Sequence, residues 1–323
     1  MNALSIDRQV RAIAALTEGC SIRATERLTE IHRDTIMALG VRVGQGCQRL
    51  HDGLMRDLQV ALIEMDEQWA FIGKKQKRVR HGDSPEMGDV WLFVALDATN
   101  KAVLSYAVGK RTLEQTEAFV LDLRARVLNR PQITADGFIP YPSAISLAFG
   151  NDVDFAQLQK VYAAVPGNDA AHRYSPGSIR GVEKRVVCGD PDEDAISTSY
   201  VERFNLTTRM QMRRFTRLTS GFSRKLENHV AAIGLHMAHY NLCRIHETLR
   251  CTPAMALGVT DHVWSVRELV ETALGMPEPP PLTPDPSEQP QGMSAARASG
   301  EKRGSGPSRW HRPGLRVLKG GRP

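Results

Sequence analysis

The sequence has few of the features that mark secreted, membrane-spanning or zinc-binding proteins. Its five cysteines include no pair in a CxxC spacing, which argues against a disulfide framework and against a structural zinc finger. No apolar run approaches the roughly 18 residues that a membrane span needs, and charged residues interrupt the N-terminal segment, so we expect neither a membrane span nor a signal peptide. These absences favour a cytoplasmic protein with reduced thiols.

The composition is that of a globular protein with a mild excess of positive charge. Hydrophobic residues make up 41% of the 323 residues, and the formal net charge is +6. This apolar content is sufficient for a folded core, while the charge is compatible with a polyanionic partner but too small to identify one. The last 48 residues differ, because they hold ten of the 18 prolines. We expect residues 276–323 to form a disordered tail.

The first 57 residues have the apolar spacing of helices. Ser21 is a suitable cap for a second helix, and Thr29-Glu30 is a plausible turn before a third. This arrangement predicts an all-helical helix-turn-helix DNA-binding domain over residues 1–57, with a recognition helix that begins near His32. His32, Arg33 and Thr35 would then contact DNA bases or backbone. A small helical bundle that packs on the next domain is the alternative.

From residue 58 the apolar period becomes that of extended chain. Strands are expected at about 60–71, 90–96 and 102–108, followed by a helix at 112–127, a strand at 132–135 and a helix at 141–149. Three strands, a helix, a strand and a helix is the order of the ribonuclease-H-like fold. We therefore predict an α/β catalytic domain with a mixed sheet over residues 58–275. Residues of about 150–195 are rich in Asp, Gly and Pro and should form an irregular insert around one or two short strands.

Three acidic residues fall where such a fold would bring them together. Asp66 interrupts the first strand, Asp136 ends the fourth, and Glu202 starts a helix expected at 199–217. Carboxylates hold pairs of Mg²⁺ ions in enzymes that cut phosphodiesters. Two of the acids have a simpler explanation, because Asp136-Gly137 is a common turn and Glu202 makes a capping box with Ser199. Asp66 is harder to dismiss, since a charge within an apolar strand is costly unless it is paired or bound to a cation.

Several longer segments resemble the IS-one (IS1) family of bacterial insertion-sequence transposases. They are EMDEQWAF at 64–71, TADGF at 134–138, ISTSYVERFN at 196–205, MRRFTRLT at 212–219 and a closing segment at 240–253. The resemblance implies a DDE transposase in which Asp66, Asp136 and Glu202 bind Mg²⁺ or Mn²⁺. The sequence departs from the expected motif at Ala195, where the family leads us to expect histidine.

The same resemblance implies the partners. They are double-stranded DNA, both as the terminal inverted repeats of the element and as its target, and further copies of the chain in a homo-oligomer on DNA. A bacterial protein of this kind would be cytoplasmic and associated with the nucleoid, with no membrane partner.

Positive charge is concentrated after Glu202. Arg209, Arg213 and Arg217 recur every four residues along the expected helix, and Arg214 lies beside them. A basic face next to the acids would bind the phosphates on either side of the scissile bond. An ordinary solvated helix face is the alternative.

The sequence thus predicts a transposase that binds the ends of its element and cuts and joins DNA with a divalent metal. Two other functions remain open. A helix-turn-helix regulator whose second domain has lost its chemistry would bind DNA without metal-dependent nicking. A nuclease of the same fold would cut DNA but never join it.

Overall fold

A six-stranded mixed sheet organises the molecule. The structure is a computed structural model that describes residues 4–162, 179–216 and 219–277. The strands are β1 (Leu62–Ile72), β2 (Gly88–Asp97), β3 (Val103–Gly109), β4 (Gln132–Ala135), β5 (Asp154–Tyr162) and β6 (Ile179–Cys188). Their order is β3-β2-β1-β4-β5-β6, with β1, β4 and β5 parallel and the other neighbouring pairs antiparallel. This is the ribonuclease-H-like arrangement, so the predicted fold class is confirmed.

Helices cover both faces of the sheet. They are α1 (Ile6–Thr17), α2 (Ile22–Thr29), α3 (Arg33–Leu54), α4 (Leu113–Arg124), α5 (Pro140–Phe149), α6 (Ser199–Gln211), α7 (Leu226–Leu242), α8 (Pro253–Ala256) and α9 (Val266–Gly275). On one face α4 and α5 pack on Met65 and Phe93, and on the other α6 and α7 pack on Leu92 and Val94. Strands β1 and β2 are therefore buried on both sides. None of these described helices is both long and apolar enough to cross a bilayer.

The N-terminal helices begin close to where the sequence placed them. The hydroxyl of Ser21 accepts a hydrogen bond from the backbone N–H of Ala24 (3.1 Å) at the start of α2. Glu30 then adopts a left-handed φ of 54°, and His32 caps α3. The described part of Met1–Pro277 forms one compact unit that includes these helices.

Two glycines let α3 approach its neighbours closely. A Cβ atom on Gly44 would lie 2.1 Å from the backbone oxygen of Ala231 in α7, and one on Gly46 would lie 2.0 Å from that of Ala273 in α9. Any larger side chain would push these helices apart. The close packing ties α3 to helices that come after the sheet in sequence.

The region of about 150–195 is more regular than its composition predicts. Strands β5 and β6 form an antiparallel hairpin, and β5 lies next to β4 in the sheet. Gln157, Gln159 and Lys160 interrupt the apolar pattern of β5 and hide it in the sequence. The one or two short strands expected in this stretch are two strands of nine and ten residues that extend the main sheet. Residues 163–178 lie outside the described residues, as does the predicted tail from residue 278 onward.

Candidate active site

Asp66 lies in the middle of β1, on the side of the sheet that faces α6. Its Oδ2 accepts a hydrogen bond from Nδ2 of Asn205 (2.6 Å), and its Oδ1 accepts one from the backbone N–H of Glu67 (2.8 Å). These bonds fix the carboxylate in one orientation. Each oxygen still has a lone pair that a cation can use.

Asp136 follows β4 directly and lies beside Asp66. Strands β1 and β4 are parallel neighbours with Met65 opposite Ala135, so the residues that come next on each strand meet at the same edge. Oδ1 of Asp136 accepts a hydrogen bond from the backbone N–H of Phe138 (3.0 Å), which stabilises the turn. Carboxylate oxygens of Asp66, Glu67 and Asp136 lie within 4.8 Å of one another.

Glu202 reaches the same place from the first turn of α6. Its carboxylate is ion-paired with Nζ of Lys160 on β5 and accepts a hydrogen bond from Oγ1 of Thr198 (2.8 Å). Asp66, Asp136 and Glu202 line one open pocket of about 560 Å³. The structure thus brings the three predicted acids together and adds Glu67 as a fourth carboxylate.

The pocket holds more negative than positive charge. Burial, and then the charge of Asp136, raise the pKa of Asp66 to about 7. The same two causes raise the pKa of Glu67 to about 8, although Arg111 opposes them. Burial also raises the pKa of Asp136. Carboxylates this close cannot all ionise easily unless a cation compensates them, so the pocket has the electrostatics of a cation site.

Two cations in the pocket were missed by sequence reasoning. Arg111 follows β3, with its guanidinium nitrogen 3.1 Å from Oε2 of Glu67 and 3.9 Å from Oδ2 of Asp136. The same guanidinium lies 3.9 Å from the ring centre of Phe138. The other cation is Lys160, the partner of Glu202. Neither stands in a segment with a distinctive pattern, so only their neighbours in space reveal them.

The donors in this pocket fit a small divalent cation. Asp66, Asp136 and Glu202 offer only carboxylate oxygens, the ligand type that Mg²⁺ and Mn²⁺ prefer. Asp66 and Asp136 come from neighbouring strands, which hold their oxygens close together without any rearrangement. Burial first, and neighbouring carboxylates second, raise the pKa values of Asp66 and Asp136, and a bound cation would offset both causes.

The part of the chain that carries β1 to β4 also matches a known family. Residues 59–147, which contain Asp66 and Asp136, match the sequence profile of the IS1 transposases. This region is an IS1 transposase domain. The match confirms the predicted resemblance to the IS1 family, and it supports a DNA transposase.

Individual relatives support the same assignment at low identity. The insertion element IS1 protein InsB of Shigella sonnei is 24% identical over 183 residues, which cover 56% of this chain and 98% of that protein. The insertion element IS1 4 protein InsB of Escherichia coli K12 is 24% identical over 183 residues, 77% of its length. A piggyBac transposase synaptic complex with hairpin DNA aligns with 81% of this chain and 57% of the piggyBac chain, at 12% identity and a TM-score of 0.30. That score is too low to bear on the fold, which rests on the strand order.

The residues predicted to read DNA lie at the start of α3. His32, Arg33 and Thr35 are all exposed. Nδ1 of His32 accepts a hydrogen bond from the backbone N–H of Asp34 (3.3 Å), and the backbone N–H of Arg33 donates to Oε1 of Glu26 in α2 (3.0 Å). The exposed side chains are accessible to a partner, and their contact with DNA stays a prediction.

The basic segment after Glu202 differs from its prediction. Helix α6 ends at Gln211, and Arg213 lies in a separate 3₁₀ turn (Arg213–Phe215), so Arg209 and Arg213 do not share a helix face. Arg214 turns inward, where its NH1 donates to Oγ of Ser223 (2.8 Å) and burial lowers its pKa. Its predicted contact with DNA stays a prediction. Arg217 lies outside the described residues.

Proposed function

We propose that this chain binds the terminal inverted repeats of its own insertion sequence and catalyses metal-dependent strand cleavage and strand transfer. The observation that carries the proposal is the pocket in which carboxylates from β1, from the end of β4 and from α6 converge. Strand transfer needs no covalent enzyme intermediate, so metal-binding acids are the main chemical groups that the protein must supply.

Asp66, Asp136 and Glu202 are the residues that would hold Mg²⁺ or Mn²⁺. The metal would supply an activated water or 3′-hydroxyl and would stabilise the leaving oxygen of the phosphodiester. The chain's own part is to hold these carboxylates in place. Asp66 is oriented by Asn205 and by the backbone of Glu67, and Asp136 by the backbone of Phe138.

The two pocket cations have separate roles in this proposal. Arg111 lies against Phe138 and between two carboxylates, so it limits their repulsion while leaving the pocket mouth open. Lys160 pairs with Glu202, one of the three acids that would hold the metal. Once that acid holds the metal, the amine is left beside the place where a DNA phosphate must lie.

DNA would be held by two further parts of the chain. His32, Arg33 and Thr35 at the exposed start of α3 would read the element ends in a helix-turn-helix manner. Arg209 near the end of α6 and the exposed Arg213 are the candidates for backbone contacts beside the pocket. Cutting and joining two ends would require at least two copies on DNA.

A transposition assay in cells tests the function even while the sequences of the element ends are undefined. A selectable marker replaces the gene between its own flanking DNA on one plasmid, and the full chain is supplied from a second plasmid. We expect the marker to move to a recipient replicon when wild-type protein is present. Asp66→Asn, Asp136→Asn and Glu202→Gln should each reduce this movement to background. The control is Asp52→Asn, which changes an acid remote from the pocket.

The same reagents separate the rival functions. DNA-end binding by the purified chain with no nicking in Mg²⁺ or Mn²⁺ would indicate a regulator. Nicking without joined products would indicate a nuclease. Either result would contradict the proposed transposition.

A further inference from the structure

Three polar side chains of β1 lie on the side of the sheet that α6 covers. Side chains alternate along a strand, so Glu64, Asp66 and Gln68 point to the same face. All three contact α6 or a residue on it. A strand that is otherwise apolar thus places a row of polar groups under the helix that carries Glu202.

Glu64 holds the beginning of α6. Its Oε2 accepts hydrogen bonds from the backbone N–H groups of Tyr200 and Val201, at 2.8 Å each. Both groups belong to the first turn, where a helix has no partners of its own for its N–H groups. A carboxylate at this end also interacts favourably with the helix dipole. Glu64 is 3% exposed, so these bonds are shielded from competing water.

Asn205 connects the same helix to Asp66. It lies one turn after Glu202 and donates from Nδ2 to Oδ2 of Asp66 (2.6 Å). Its own backbone oxygen accepts a hydrogen bond from Nε2 of Gln68 (3.1 Å). Asn205 and Gln68 are 2% and 1% exposed. The contacts of Glu64 and Gln68 therefore fix α6 at two points, on either side of Asp66.

We propose that a β1–α6 polar seam, which consists of Glu64, Gln68 and Asn205, positions Glu202 relative to Asp66. The three are positioning residues. The inference rests on the proposed function, because it assigns a purpose to these contacts only if Asp66 and Glu202 share a metal. The two acids are separated by more than 130 positions in the chain and have no direct bond to each other among the described contacts. Their relative position depends on how α6 is held against β1. Partners of metal ligands commonly change metal affinity by about 10- to 100-fold when removed.

Mn²⁺ binding to the full chain tests the seam without relying on cleavage. Binding is measured as the loss of the electron paramagnetic resonance signal of free Mn²⁺. We expect Glu64→Ala and Asn205→Ala to weaken Mn²⁺ binding by about tenfold or more. Glu64→Gln should have a smaller effect, because its amide oxygen can still accept the two backbone hydrogen bonds. Measurements below the melting temperature of every variant separate this effect from unfolding.

Thr208→Val is the matched control. Thr208 is buried on α6 one turn after Asn205, but its hydroxyl contacts Nε2 of His236 in α7 (3.2 Å) and not β1. This variant should lower the melting temperature and leave Mn²⁺ binding unchanged. If Glu64→Ala and Asn205→Ala behave in the same way as this control, the seam only stabilises the fold and the inference is wrong. If Asp66→Asn binds Mn²⁺ as tightly as wild type does, the proposed metal site is wrong, whatever the seam variants show.

Discussion

Two clusters of carboxylates in this chain have opposite electrostatics. In the first, Arg126 is buried and bonds to Asp122 through Nε (2.7 Å), to Asp52 through NH2 (2.6 Å) and to the backbone oxygen of Met55. Burial alone would raise the pKa of Asp122, but hydrogen bonds from Arg126 and Ser105 lower it. In the second, around Asp66 and Asp136, burial and mutual repulsion raise the pKa values.

The difference separates a cluster that ties helices together from the proposed metal site. The Arg126 cluster carries its own cation at its centre and ties α3 to α4. Among the described residues, the pocket is lined by three acids, Asp66, Asp136 and Glu202, and by the cations Arg111 and Lys160. Glu67 lies beside Asp66 and Asp136 as a further acid. An excess of acids in one place costs stability, and this cost is what the proposed metal site would explain.

Removing an acid should give the largest difference between the clusters in a cleavage assay. Asp66→Asn, Asp136→Asn or Glu202→Gln should reduce strand cleavage of element ends to background while end binding in gel shifts is kept. Asp122→Asn should cleave normally below its melting temperature, because it is remote from the pocket. A pocket variant with a tenth or more of wild-type cleavage would exclude that residue from the site.

Stability in metal-free buffer should change in opposite directions in the two clusters. Arg126→Ala removes a buried cation from two partly exposed carboxylates and leaves the buried backbone oxygen of Met55 without its donor, so it should lower the free energy of unfolding by about 1–3 kcal/mol. Asp136→Asn relieves repulsion and keeps the acceptor for Phe138, so we expect stabilisation by about 1 kcal/mol, or roughly 2–4 °C in melting temperature. Denaturant melts with EDTA measure both. A loss of stability in Asp136→Asn would mean that repulsion between the pocket acids does not destabilise the fold.

The pH dependence of stability should sharpen the same contrast. The pKa values of Asp66 and Glu67 are raised in the folded state to about 7 and about 8, above their ordinary values of 3.8 and 4.5. The folded state therefore holds more protons, and these groups make metal-free stability fall as the pH rises from about 4 to 8. Asp136 is a cause of both shifts, so Asp136→Asn should have a shallower fall.

The difference between wild type and Asp136→Asn isolates this effect from the histidines. Burial lowers the pKa of His229 and His236 from 6.5 to about 3. Both groups therefore make the free energy of unfolding rise as the pH rises between these two values. That contribution is common to the two proteins and cancels. Parallel stability curves for wild type and variant would contradict the assigned coupling.

Lys160 should give the smallest effect. Its ammonium competes with a divalent cation for Glu202, in a pair that is partly exposed and worth about 0.2–1 kcal/mol. Lys160→Ala should therefore lower the metal concentration for half-maximal cleavage by up to roughly fivefold, and should also lower cleavage at saturating metal through a lost phosphate contact. Lys184→Ala, on the neighbouring strand, is the control. A higher metal requirement in Lys160→Ala would show that the lysine supports metal binding.

Local patterns were sufficient to predict much of the sheet. The order of elements could be predicted from the apolar runs of β1 to β3, the cap at Thr112 and the strand before Asp136. Because β1 and β4 are parallel neighbours, this order brings Asp66 and Asp136 together. Contacts distant in sequence could not be predicted in this way. Glu64 meets Val201, and Asp66 meets Asn205, across separations of 137 and 139 positions.

The end of α6 shows why the basic segment was misread. No glycine or proline stands between Met212 and Arg217, so the sequence gives no local stop signal. The chain leaves the helix because Met212 and Phe215 are buried in the core beneath α7, while Arg214 reaches Ser223. Tertiary packing therefore overrides a helical pattern that continues in the sequence.

The position of the metal tests the central claim most directly. Crystals of the full chain soaked in Mn²⁺ would locate the ion by its anomalous scattering. We expect density roughly 2.1 Å from oxygens of Asp66, Asp136 and Glu202, with Lys160 displaced from Glu202, and none in crystals of Asp136→Asn. Mn²⁺ bound elsewhere while Glu202 stays paired with Lys160, or equal density in the pocket of Asp136→Asn, would contradict it.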